Sequence, residues 1–191
     1  MRLVIETSSQ ILNVANLLSS SSNMEEELKI IKPTGGFATY KNGETANVDG
    51  FSGDLTHIMP GQAFYVRSKA GGGSVTFTEN VKNFATNPIR LMSSPKNSPF
   101  LISTFAESKF SAGATTFSNK RLKINLQNAT NTEEAVTVFR SGSNAASTNE
   151  DAVFFGGSSV AFSTLSSDKV KLTINFMPSI DVVEELKLSV N

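Results

Sequence analysis

Arg121-Leu122-Lys123-Ile124-Asn125-Leu126 sets Leu122, Ile124 and Leu126 on one side of an extended chain and Arg121, Lys123 and Asn125 on the other. Successive side chains of a strand point to opposite faces, so strict alternation of this kind reads as a strand with one apolar face. Val136 and Val138 around Thr137 repeat the pattern, with Phe139 and Arg140 ending the run. Val170, Leu172, Ile174 and Phe176 repeat it against Lys171, Thr173 and Asn175, and Leu186, Leu188 and Val190 close the chain. A period of two over so much of the last third predicts antiparallel sheets, each with one face on the core and one in water.

Toward the N-terminus the same reading continues between turn signals. Gly36-Phe37-Ala38-Thr39-Tyr40 runs into Asn42-Gly43, a tight-turn dipeptide, and Pro60-Gly61 launches Ala63-Phe64-Tyr65-Val66-Arg67-Ser68-Lys69. Gln62 follows that turn and offers it a side-chain hydrogen bond. Ala70-Gly71-Gly72-Gly73 then predicts a hairpin to Ser74-Val75-Thr76-Phe77-Thr78. Glu25-Glu26-Glu27 lead into a short strand, Leu28-Lys29-Ile30-Ile31-Lys32, and further strands are expected over 88–92 and 100–105. One segment departs from the period of two. Ile11, Leu12, Val14, Ala15, Leu17 and Leu18 form a helical stripe over 9–18, capped by Ser8 or Ser9. The expectation is therefore an all-β chain, an antiparallel β-sandwich or jelly roll with one short N-terminal helix. A single domain over 1–191 fits the length, and two small β units split near residue 108 is the alternative.

Composition narrows the chemistry. Seventeen Lys and Arg balance seventeen Asp and Glu, which argues against nucleic-acid binding and polybasic membrane attachment. There is no Cys, so disulfide frameworks and thiol catalysis are excluded, and one His leaves multi-His metal sites out of reach. No apolar run is long enough to span a bilayer, so membrane insertion is not expected. Glu6 interrupts Leu3-Val4-Ile5 too early for a signal-peptide core, which makes the chain either cytoplasmic or a piece of a longer secreted protein.

No catalytic residue emerges. His57 would have to serve as the base of a Ser-His-Asp triad, but no Gly-x-Ser-x-Gly elbow supplies the nucleophile, and a turn histidine is the plainer reading. Glu133-Glu134 and Glu150-Asp151 are the acid pairs a glycosidase could use if loops brought them together. Calcium takes loop carboxylates without strict geometry, which makes Asp49, Asp54, Glu150 and Asp151 the metal candidates, for a structural ion and no other cofactor. Gly71-Gly72-Gly73 lacks the Gly-Lys-Ser/Thr of a phosphate loop. Asn128-Ala129-Thr130 is a glycosylation sequon, relevant in a eukaryotic host.

Three stretches in order carry a family resemblance. They are Gly35-Gly36-Phe37-Ala38-Thr39-Tyr40 followed by Pro60-Gly61-Gln62-Ala63-Phe64-Tyr65-Val66, then Ser74-Val75-Thr76-Phe77-Thr78, then Arg121-Leu122-Lys123-Ile124-Asn125-Leu126 with Lys171-Leu172-Thr173-Ile174-Asn175. This order resembles a β-sandwich module of large secreted or cell-surface proteins of Bacteroidetes, substrates of type IX secretion, found upstream of their C-terminal sorting domain. The resemblance spans roughly residues 28–190 and implies a secreted or cell-surface location. It implies a non-catalytic structural or adhesion module, with other domains of a larger surface protein, or the chain itself, as partners. An ancillary carbohydrate-binding module with a glycan ligand is one alternative, and a self-assembling coat or appendage subunit is the other.

Overall fold

A computed structural model describes residues 2–5, 10–32, 35–48, 55–83, 120–128, 131–156, 161–179 and 186–190. Among the described residues the chain is all-β with one short α-helix, and it divides into two units, Met1–Asn97 and Ser98–Asn191. The strands expected over 88–92 and 100–105 lie outside the described residues, as do Asp49 and Asp54.

The first unit contains β1 (Arg2–Ile5), β2 (Ile11–Asn13), α1 (Val14–Ser20), β3 (Met24–Ile31), β4 (Phe37–Lys41), β5 (Glu44–Ala46), β6 (His57–Ile58), β7 (Ala63–Ser68) and β8 (Lys82–Asn83). A five-stranded antiparallel sheet in the order β1-β7-β3-β4-β5 stands with a three-stranded sheet, β6-β2-β8. Leu28, Ile30, Ala38, Tyr40, Phe64 and Val66 from the larger sheet share one buried cluster with Leu12 and Ile58 of the smaller sheet and with Val14, Leu17 and Leu18 of the helix. Each Leu, Ile, Val or Phe among them contributes about 1.5–3 kcal/mol on leaving water, so this cluster is the unit's main source of cohesion.

The helix starts later than the apolar stripe predicts. Ile11–Asn13 is drawn into extended pairing with β6 and β8, and Asn13, not Ser8 or Ser9, caps α1 by accepting the Asn16 N–H at 2.9 Å. The acidic run 25–27 lies inside β3 and not before it. Asn42 and Gly43 turn β4 into β5 with φ of 47° and 83°, the mirror-image turn their sequence predicts. At Pro60-Gly61 the Gln62 N–H donates to the Met59 carbonyl at 3.1 Å, and the Gln62 side chain accepts the Met59 N–H at 3.0 Å.

The hairpin expected at 70–73 does not form. β7 pairs with β1 and β3, while Ser74 turns away to bridge Ser22 through two backbone bonds of 3.0 Å. Gly73 permits this approach, because a Cβ there would stand 2.6 Å from the carbonyl oxygens of both Ser22 and Asn23.

The second unit contains β9 (Lys120–Gln127), β10 (Thr132–Phe139), β11 (Ala152–Val153), β12 (Phe162–Leu165), β13 (Lys171–Met177) and β14 (Lys187–Val190). They form one sheet in the order β14-β12-β13-β10-β9, with β11 paired to β13. Its pairs are antiparallel except β10 with β13, where Val136 stands in register with Ile174 and Phe139 with Met177. The thirty-odd residues between these two strands supply the long crossover that a parallel pair requires.

The polar faces of the central strands are not wet. Along β10 and β13, Glu133, Thr137, Thr173 and Asn175 are as buried as Val136, Val138, Leu172 and Ile174. In the first unit Glu27, Lys29, Thr39 and Lys41 are likewise buried on the face opposite the apolar core. Alternation marks two chemically distinct faces; it does not reveal which of them meets water.

Candidate functional site

Two constellations gather the polar side chains that could carry chemistry, one in each unit. In the first, β3 and β4 are antiparallel with Glu27 opposite Lys41 and Lys29 opposite Thr39, and β7 sets Tyr65 opposite Lys29. Glu27 and Lys29 therefore project from one face of the sheet, together with the Lys41 side chain of the neighbouring strand. The Glu27 carboxylate stands 3.4 Å from Lys29, 3.8 Å from Lys41 and 3.7 Å from Arg67, and Glu25 reaches Lys41 at 3.6 Å. Lys29 also lies 3.5 Å from the Thr39 hydroxyl. Glu27, Lys29 and Lys41 are each 1% exposed, whereas the Arg67 side chain is 42% exposed. Burial pushes the Lys29 ammonium below its usual range, and the Glu27 charge beside it opposes that shift.

Further along the same face, Phe37 and Tyr65 meet edge to face with ring centroids 5.9 Å apart and planes at 78°. Both rings are half-buried, and Ile31, in register with Phe37, is exposed.

The second constellation ties down the long excursion between β10 and β11. The Arg140 N–H donates to the Met177 carbonyl at 2.9 Å, its guanidinium lies 4.9 Å from the centre of the Phe176 ring, and it pairs with Glu150 at 2.7 Å. Asp151 anchors the other end, its Oδ1 accepting the buried Phe176 N–H at 2.7 Å and its Oδ2 the Thr148 N–H at 2.7 Å. Burial raises the Asp151 carboxyl above its ordinary value, while these same hydrogen bonds pull the other way. Asp168, in the turn between β12 and β13, accepts the Ser147 hydroxyl at 2.6 Å, the Ser147 N–H at 2.9 Å and the Ser166 hydroxyl. The Ser147 hydroxyl first, then the Ser166 hydroxyl and the Ser147 amide, hold this exposed carboxyl down to about 2.

These placements settle what the sequence-level candidates touch. Glu150 faces a guanidinium and Asp151 faces backbone donors, so both calcium candidates within the described residues have protein partners. No group of three or more metal-ligating side chains occurs among the described residues. Glu133 and Glu134 lie in β10 and not in a loop, and as strand neighbours they point to opposite faces, so they cannot flank one sugar ring together. His57 sits in β6 opposite Asn13, and its Nδ1 shares a hydrogen bond of 2.8 Å with the hydroxyl of its neighbour Thr56.

The Glu27 network and the Asp168 latch are not legible in the sequence as sites. Acids and bases at alternate positions, Glu25, Glu27 and Lys29, were the available signal for the first; nothing local announces the second, whose partners lie 21 residues apart. Comparison of the chain with family models, curated proteins and solved structures yields no match. No helix among the described residues is long and apolar enough to cross a membrane.

Proposed function

We propose that this chain is a non-catalytic structural or adhesion module of a larger secreted or cell-surface bacterial protein, with neighbouring domains or further copies as partners. One observation carries the reading. The carboxylates best placed for chemistry are engaged in holding the fold: Asp151 binds two backbone amides, Glu150 a guanidinium and Glu27 three cations. A general acid or nucleophile must instead present a carboxyl group to its substrate. The resemblance of the ordered strand motifs to the Bacteroidetes modules supports the same reading and the expected location.

The Phe37–Tyr65 pair favours a second reading, a carbohydrate-binding module, since half-exposed rings on a sheet face offer apolar contact to a sugar. A polysaccharide array screened with the purified chain, with and without calcium, separates the two. No specific glycan binding is expected, and a specific hit lost on Tyr65→Ala would replace the first reading with the second. Light scattering on the same sample gives the oligomeric state, and a defined oligomer would assign the module to assembly.

A further inference from the structure

We infer that one buried water molecule bridges Thr137 and Asn175 and so joins β10 to β13. This site lies inside the second unit, apart from any surface the module presents to a partner.

β10 and β13 run parallel, with Thr137 in register with Asn175. Partners in register project to the same face, so the hydroxyl and the carboxamide stand side by side on strands about 4.8 Å apart. Each residue is only 1% exposed. Among the described residues, however, neither the Thr137 Oγ1 nor the Asn175 Nδ2 has a hydrogen-bond partner. A buried polar atom left in that state forfeits its hydration with nothing in return, and in folded proteins such atoms are paired with protein groups or with ordered water.

The two groups select the ligand. The Asn175 Nδ2 only donates, whereas the Thr137 hydroxyl both donates and accepts. A cation would meet the amide hydrogens head on. An anion would lie on the same face as the buried Glu133 carboxylate, four residues along the strand from Thr137. Water accepts from the amide, exchanges one hydrogen bond with the hydroxyl and brings no charge. With bonds of about 2.7–3.0 Å to each, it fits between side chains of neighbouring strands. Thr173, also buried and two residues before Asn175 on the same face, offers a third hydroxyl, and about three hydrogen bonds are what a buried water makes. Ala135, two residues before Thr137, adds only a methyl group to that face. The opposite face of the same junction is apolar, with Val136, Val138, Ile174 and Phe176 buried on it. The water thus closes the polar side of the parallel pair as those side chains close the other.

Two measurements on the full chain test the site. A crystal structure fine enough to show ordered water should place one molecule within about 2.7–3.2 Å of both Thr137 Oγ1 and Asn175 Nδ2. A direct bond between the two side chains, or other protein groups bonded to both atoms, overturns the inference. In solution, oxygen-17 relaxation dispersion of water reads long-lived internal molecules. Thr137→Val combined with Asn175→Leu should lower its amplitude by one water, and Thr137→Ser, which keeps the hydroxyl, should leave it unchanged. Circular dichroism and amide exchange over 132–139 and 171–177 check that the variants fold. An amplitude unchanged in the folded double variant refutes the bridge, and if that variant fails to fold, the wild-type crystal structure decides alone.

Discussion

Glu27→Gln should destabilise the first unit far more than Lys29→Met, although the two side chains touch and are equally buried. Removing one member of a buried ion pair strands the other and costs about 3–5 kcal/mol. Glu27 is the acid shared by Lys29, Lys41 and Arg67, so its loss leaves two buried ammonium groups short of a counter-charge, with Glu25 still available to Lys41. Its contacts of 3.4–3.8 Å are long, and the exposed Arg67 adds little through solvent, which places the cost near the lower limit, about 3 kcal/mol. Lys29→Met removes a cation that burial already disfavours, fills the space with a flexible apolar chain and leaves Glu27 facing Lys41 and Arg67. That change should cost about 1 kcal/mol or less. Urea unfolding followed by tyrosine fluorescence reads the difference cleanly. The chain has no Trp, and its two tyrosines, Tyr40 and Tyr65, both belong to the first unit. At slopes of about 1–3 kcal/mol per molar, the glutamine variant should lose about 1–3 M in midpoint and the methionine variant, at the same slope, about a third of that or less. Equal losses would refute the idea that Glu27 is the hub of the network.

Four further outcomes follow from the same contacts. Lys29 has its folded-state value lowered below 10.5, so between that lowered value and 10.5 the unfolded chain binds more protons, and wild-type stability should rise with pH relative to Lys29→Met. Circular dichroism is the readout there, because tyrosine ionises in the same range. Asp168 should titrate at about 2 by side-chain NMR and move upward in Ser147→Ala; its contribution is present above 3.8 and is lost as pH falls toward 2. Asp151→Ala should cost about 2–4 kcal/mol in denaturation followed by circular dichroism, since it orphans the buried Phe176 N–H, while Asp151→Asn keeps an acceptor and costs about half as much. Gly73→Ala should cost about 2 kcal/mol and speed amide exchange at Ser22 and Ser74, as both atoms nearest the new methyl are backbone oxygens that must move.

The sequence made the strands legible because their signal is local. Leu122, Ile124 and Leu126 share a face as their alternation predicts, and the turns at Asn42-Gly43 and Pro60-Gly61 form with the residues that favour them. What escaped was decided at a distance. Ile11–Asn13 carries a helical pattern, but pairing with residues 57–58 and 82–83 draws it into a sheet. Ser74–Thr78 carries a strand pattern, but the bond to Ser22 competes for it. The parallel pairing of β10 with β13 is invisible in either strand, since register and direction belong to the pair. The polar groups were equally opaque: Glu133 and Glu134 look like surface acids, and only their place in a central strand shows them buried. In the sequence Asp151 reads as a ligand donor, whereas its contacts are with the amides of residues 148 and 176.

The charges buried on the second face of the larger sheet have a meaning before the chain folds. Met24–Ile31 and Phe37–Lys41 would, with apolar residues in place of Glu25, Glu27, Lys29 and Lys41, be short β-prone segments with Glu26 as their one remaining charge, able to stack on other nascent chains. Hydrated in the unfolded state, those four side chains interrupt each segment and keep it dispersed. Native stability is thereby given up for solubility during synthesis. Replacing the four with apolar residues would yield a tougher folded unit and a chain far more prone to precipitate on the way to it.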